Sequence, residues 1–179
     1  MTARSIEFYR SEKIRKFIDD MNTIDRLDLL MIKAIAFLHD LLVAMQAEQT
    51  GEPEEELRRR FSSFAKLAKR TLTRPEHQRF RDLLLEFNRI RNSPAHGLIT
   101  DEFVPELQKL WEKLRGDHVW PADPLHQRDY AQSLFILFAF ELGRYHAQLP
   151  PSPYILGTEK IRWEHLRSEH EAIRDAGKA

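Results

Sequence analysis

The sequence predicts an all-α fold, a bundle of about six to seven helices that forms one domain over residues 1–179. Apolar residues recur at spacings of three and four along most of the chain, whereas the alternation typical of strands is rare. The 179 residues are 42% hydrophobic, which is enough for one substantial core. No long Gly-, Ser- or Pro-rich linker divides the chain, so a single domain is the simplest interpretation.

Residues that cap or break helices divide this pattern into elements. Asn22 is expected to cap the second helix, Gly51 to end it, and Pro75 to take the first position of the fourth. Asp123 and Pro124 are expected to begin the sixth helix in the same way. The predicted helices, in chain order, cover about 5–21, 23–50, 54–72, 75–91, 101–114, 124–149 and, more peripherally, 158–176.

The composition excludes several classes of protein and site. A chain without cysteine has no disulfide, no thiolate metal site and no cysteine nucleophile. The N-terminus lacks the apolar segment of a secretory signal, and no apolar run is both long and uncharged enough to span a bilayer. His118, Asp123 and His126 match no metal-ligand spacing. We therefore expect a cytoplasmic protein with no membrane partner, no metal and no cofactor.

One short segment, Arg89-Ile90-Arg91-Asn92-Ser93-Pro94-Ala95-His96-Gly97, carries a chemical pattern. Arg91 extends the apolar stripe of the fourth helix, where a guanidinium needs a carboxylate, a phosphate, a carbonyl or a subunit interface. Side chains five residues apart diverge on an unbroken helix. Pro94 is expected to break the helix at residues 92–94 and to bring His96 back beside Arg91. An arginine fork beside a titratable imidazole suits phosphate chemistry.

At these residues the sequence resembles the HEPN superfamily of all-helical bundles, whose motif is an arginine, usually followed by a polar residue, and a histidine a few residues later. Arg91, Asn92 and His96 match this motif in the segment RNSPAHG. The resemblance implies a metal-independent endoribonuclease in which the RNA 2′-hydroxyl attacks the adjacent phosphate, leaving a 2′,3′-cyclic phosphate and a 5′-hydroxyl. His96 would be the general acid or base, Arg91 would hold the scissile phosphate, and Asn92 would orient or contact it.

The resemblance also implies partners and a biological setting. Such proteins usually form homodimers whose two motifs line one cleft, many act as toxins or in phage defence, and some pair with a nucleotidyltransferase-type antitoxin. Two other interpretations stay open. The bundle could be a catalytically silent HEPN-like binding module that acts through a protein or nucleotide partner. In an unrelated helical regulator, Arg91 would be a cation favoured by a helix C-terminus and His96 an ordinary loop residue.

The formal net charge of zero conceals a separation of charge along the chain. Residues 1–57 carry −5, residues 58–100 carry +8 from 11 basic and 3 acidic side chains, and residues 101–179 carry −3. No acidic residue occurs between Leu57 and Pro75. We expect a local RNA-binding surface rather than a basic coat, although such a face can also be merely solvated. The residues expected to contact RNA are Arg58, Arg59, Lys66, Lys69, Arg70 and Arg89.

One acidic residue stands on the apolar face of the sixth helix. Glu141 lies within about 40° of Leu134 and Tyr145 on the helical wheel. It is a candidate for a buried partner that orients Arg91 or another cation. The alternative is a side chain that reaches solvent at the edge of the helix.

Overall fold

The computed structural model describes residues 12–95, 104–114 and 120–160, and it describes the backbone alone at 12–15 and 91–95. These ranges contain helices and turns and no strand, which confirms the predicted all-α class. A single 3₁₀ turn, Pro75–His77, precedes the longer helix that follows it. The α-helices, in chain order, are α1 (Glu12–Asn22), α2 (Leu27–Thr50), α3 (Glu54–Arg60), α4 (Phe64–Thr71), α5 (Gln78–Ala95), α6 (Val104–Lys113), α7 (Pro124–His146) and α8 (Pro153–Leu156).

The core of the bundle is built around α2 and α7. Helix α2 packs against α1, α3, α4, α5 and α7. Both helices bury apolar residues on most sides, as their sequences predict. Aromatic side chains from α5 and α7 fill the space between them, with the Phe87 ring centre 4.7 Å from that of Phe135 and 5.1 Å from that of Phe138. None of the described helices is sufficiently long and apolar to cross a bilayer.

Side-chain contacts fix the relative directions of the long helices. The Arg128 guanidinium, near the start of α7, donates to carbonyl oxygens of Met21 and Ile24, just before α2 begins. His146, at the end of α7, lies 2.6 Å from the Glu48 carboxylate near the end of α2. Helices α2 and α7 therefore run parallel. Phe80 contacts Phe138 whereas Phe87 also reaches Phe135, so α5 runs antiparallel to both.

Local signals predicted some helix ends correctly. Gly51 ends α2 in the left-handed region with φ +73°, and its N–H donates to the Ala47 carbonyl. Asp123 caps α7 by accepting the His126 N–H at 3.1 Å, and Pro124 occupies the first turn. Residues 158–160 are not helical, and the remainder of the predicted last helix, together with residues 101–103, 116 and 118, lies outside the described residues.

The predicted cap at Asn22 is wrong. Asn22 is the last residue of α1, and its side-chain oxygen accepts the Gln132 amide of α7 at 2.9 Å. Arg26 precedes α2 instead, and it forms an ion pair with Asp28 in the first turn. Arg128 donates to the carbonyls of Met21 and Ile24 in this turn, a long-range contact without a local sequence signal.

The predicted helix over residues 54–72 is also wrong, because the chain breaks between α3 and α4. Phe61 leaves the helix with φ −114° and ψ 63°, and its carbonyl accepts a hydrogen bond from His39 Nε2 of α2 at 3.0 Å. Ser63 stands at the N-cap position of α4, but its side chain makes no capping hydrogen bond. Leu57 and Phe64 are both buried across the break, so the apolar spacing is the same as in one continuous helix.

Candidate catalytic motif and nucleic-acid interface

The motif lies at the end of a helix that is firmly packed in the core. Helix α5 buries five apolar side chains, which reach from its first turn to the residue before Arg91: Phe80, Leu83, Leu84, Phe87 and Ile90. Arg91 and Asn92 are helical residues near the end of α5. Since α5 runs antiparallel to α2 and α7, Arg91 and Asn92 lie at the end of the bundle where α2 and α7 begin.

The predicted break at residues 92–94 is wrong. Helix α5 continues through Pro94 and ends at Ala95. A proline so close to the helix end removes one backbone donor, that to the Ile90 carbonyl, and the buried face of α5 outweighs this local cost. The helix break that was expected to bring His96 beside Arg91 is therefore absent at residues 92–94. His96 lies outside the described residues.

An ion pair joins the end of α5 to the start of α6. The Arg89 guanidinium lies 2.5 Å from Glu106, and the same carboxylate accepts from Lys109 at 2.8 Å. The Lys109 hydrogen bond, followed by that from Arg89, lowers the pKa of Glu106 to about 2. At the other end of α6, Lys113 binds both carboxylate oxygens of Glu86. Arg89, expected to contact RNA, thus has an acidic partner in the fold.

Glu141 is buried, as one of its two interpretations requires. Its side chain is 0% exposed, and its two carboxylate oxygens accept the Ser152 N–H at 3.2 and 3.3 Å. Burial raises the pKa of Glu141, and the smaller effects of Ser152 and Arg144 oppose that rise. Glu141 follows Phe138 on α7, towards the end where α5 begins, whereas Arg91 lies at the opposite end of α5. Through the hydrogen bond from the Ser152 N–H, Glu141 holds the turn that precedes α8.

The basic residues of α3 are paired with acids. Arg58 forms ion pairs with Asp40 and Glu54, and the distance to Glu54 is 3.2 Å. Arg59 lies 3.6 Å from Glu55, and Arg60 pairs with Glu52. The acid-free stretch that begins after Leu57 is therefore neutralised in part by acids that precede it in the sequence.

The basic residues of α4 are arranged differently. Lys66, Lys69 and Arg70 are exposed, and no ion pair with an acid is found for them among the described residues. Beside them lies Phe61, whose side chain is only half-buried. The guanidinium carbons of Arg60 and Arg70 lie 5.8 and 5.5 Å from the centre of its ring. In the sequence Phe61 directly follows Arg60, but no spacing indicates that Arg70 lies over its ring.

No group of three potential metal ligands occurs within the described ranges. Asp123 and His126 lie 2.7 Å apart, but both are exposed, and the pair belongs to the cap of α7. The backbone N–H of His126 is the main cause of the lowered pKa of Asp123. This pair therefore has an explanation in the start of the helix.

Comparison with known proteins adds no family to this description. The chain matches no protein-family model, no curated protein and no solved structure. The HEPN resemblance stays a prediction from the residues of the motif.

Proposed function

We propose that the chain is a HEPN-type, metal-independent endoribonuclease. The supporting observation is the position of the motif: Arg91 and Asn92 lie near the end of the core helix α5, directly after the buried Ile90. A guanidinium can bind phosphate oxygens and stabilise the charge that develops on them. The buried face of α5 fixes the backbone that carries Arg91.

In the proposed reaction the RNA supplies its own nucleophile. His96 takes the proton of the 2′-hydroxyl while water protonates the leaving 5′-oxygen, or His96 protonates that oxygen while water takes the 2′-hydroxyl proton, since an imidazole titrates near neutral pH. The 2′-oxygen forms a bond to the adjacent phosphorus as the bond from phosphorus to the 5′-oxygen breaks. The products are a 2′,3′-cyclic phosphate and a 5′-hydroxyl. Arg91 holds the phosphate, and Asn92 orients it.

The proposal includes the setting that the resemblance implies. RNA is the substrate, two copies of the chain form a homodimer around one cleft, and the protein acts in the cytoplasm as a toxin or phage-defence enzyme. A nucleotidyltransferase-type antitoxin is the proposed regulatory partner. Light scattering during size-exclusion chromatography tests the homodimer, since a monomer over the concentration range of the cleavage assay would contradict it.

Analysis of the reaction products tests the chemistry. Purified protein is incubated with RNA in excess EDTA, and the ends of the fragments are identified by mass spectrometry. We expect 2′,3′-cyclic phosphate and 5′-hydroxyl ends, and no cleavage where the nucleotide before the scissile phosphate carries a 2′-O-methyl group. Intact RNA at high protein concentration, with RNA still bound, would instead favour the catalytically silent binding module.

A further inference from the structure

The cations of α4 form a separate surface on one side of the bundle. Phe64, Leu67, Ala68 and Thr71 face the core, so the exposed side of α4 presents mainly Lys66, Lys69 and Arg70. Residues three and four apart are neighbours on a helix, so these cations form one compact row. Because the large apolar residues of α4, Phe64 and Leu67, are buried, this face has none left to insert into a lipid surface.

The half-buried Phe61 ring lies at the edge of this row. Its backbone is held by the hydrogen bond from His39 to its carbonyl, and Arg60 and Arg70 lie over its ring. Bases of single-stranded RNA stack on aromatic rings and on guanidinium planes, while neighbouring cations bind the phosphates. The bases of a duplex are already stacked on one another, and an aromatic platform gains nothing from them.

We infer that Phe61, Lys66, Lys69 and Arg70 form a binding platform for single-stranded RNA, which we name the α4 platform. The arginines of α3 differ from it because their charges are matched by Asp40, Glu52, Glu54 and Glu55. The inference depends on the proposed function only for the choice of RNA as the polymer. A single strand offers both the phosphates and the free base faces that this combination of side chains binds.

The α4 platform is distant from the motif. The Phe61 carbonyl is hydrogen-bonded to His39, and the Thr71 hydroxyl donates to the side chain of Gln46. Helix α4 therefore lies beside the second half of α2. Arg91 lies towards the end where α2 begins. From the rise of 1.5 Å per helical residue, the separation along the bundle is on the order of 15 Å. An RNA that occupies both places must therefore be several nucleotides long, and the platform would act by holding the strand and not by touching the scissile phosphate.

Fluorescence anisotropy with a labelled oligoribonucleotide that carries 2′-O-methyl groups throughout tests the α4 platform. This probe cannot be cleaved by 2′-hydroxyl attack, so the binding result is independent of whether Arg91 and His96 cut RNA. Lys66→Gln with Lys69→Gln should weaken binding about tenfold near physiological salt. It should also make the plot of log affinity against log salt less steep by about 1.4, because each of the two lost phosphate contacts on a single strand contributes about 0.7 to the slope. Lys16→Gln with Lys33→Gln is the matched control, because both lysines are exposed and lie on other helices.

A second pair of variants tests the stacking. Phe61→Leu should weaken binding between fivefold and a hundredfold, as for loss of one stacked base, with an unchanged salt slope. Phe61→Tyr keeps the ring and should bind like the wild type. Circular dichroism and melting temperatures identify any variant that fails to fold, and the lysine variants, whose side chains are exposed, remain informative in that case.

Three results would overturn the inference. The first is an equal effect of the two lysine pairs. The second is a folded Phe61→Leu that binds as tightly as the wild type, and the third is an annealed duplex that binds as tightly as the single strand. Displacement of the probe by polyglutamate from wild type and Phe61→Leu alike would identify the surface as a site for an acidic polypeptide instead.

Discussion

Arg89 of α5 and Glu106 of α6 form an ion pair with an N–O distance of 2.5 Å. It joins the two helices between which His96 lies in the sequence. Lys109 binds the other oxygen of the same carboxylate. The two cations favour the ionised form of Glu106. Through Arg89, this carboxylate connects the last turns of α5 to the start of α6.

Removing either cation should raise the pKa of Glu106 from about 2. Lys109→Gln should raise it more than Arg89→Gln, because the hydrogen bond from Lys109 is the larger cause. A lowered folded-state pKa contributes stability that is present above the unfolded value, about 4.3, and is lost as the pH falls towards 2. The stability difference between wild type and Glu106→Gln should therefore narrow over that range. NMR titration of the Glu106 carboxyl carbon measures the shifts, and a wild-type value near 4.3 would contradict the ion pair.

Arg128→Met should destabilise the fold by about 3 kcal/mol, the cost of removing one partner from a buried charged network. The Arg128 side chain is nearly buried, and it donates to the carbonyls of Met21 and Ile24 and to the side chains of Asp129 and Gln132. Urea unfolding followed by circular dichroism measures the loss. Arg59→Gln, on an exposed ion pair, is the control and should change stability by less than about 0.5 kcal/mol. Equal effects of the two substitutions would show that Arg128 does not connect α1 to α7.

Glu141→Gln should stabilise the protein at neutral pH. Burial raises the folded-state pKa of Glu141, so the folded state binds the proton more tightly than the unfolded state. The stability of the folded protein therefore falls as the pH rises from the pKa of Glu141 in the unfolded state through its pKa in the folded state. Glutamine keeps an oxygen for the Ser152 N–H and carries no charge. Glu141→Leu removes that acceptor and should cost about 1–3 kcal/mol. Urea unfolding curves from pH 4 to pH 8 test the predictions for Glu141→Gln and Glu141→Leu. If the free energy of unfolding changed with pH in the same way for the wild type and for Glu141→Gln, the effect of burial on Glu141 would be contradicted.

The sequence predicts an element well where the signal is local. Gly51 and the Asp123–Pro124 pair act through their own backbone geometry, and both helix ends lie where they were expected. The break between α3 and α4 has no such signal, because Leu57 and Phe64 lie seven residues apart and face the core with or without it.

The charge pattern was predictive only in part. Glu54 and Glu55 precede Arg58 and Arg59 by four residues, a helical spacing that already indicates ion pairs. Asp40, however, meets Arg58 only through the packing of α3 on α2. The exposure of the α4 cations, which have no acidic partner in the part of the chain that the structure describes, and the position of Phe61 beneath Arg70 likewise depend on the fold and not on sequence spacing.

The most direct test of the central claim is RNA cleavage in EDTA by wild type, His96→Ala and His126→Ala, with equal folding confirmed by circular dichroism. His126 is the matched control, since it is an exposed histidine at the start of α7. We expect the wild type and His126→Ala to cut the RNA and His96→Ala to lose at least about a hundredfold in rate, the usual contribution of a general acid or base. RNA that is cut equally by His96→Ala, or that stays whole with the wild type at high concentration, would contradict the claim.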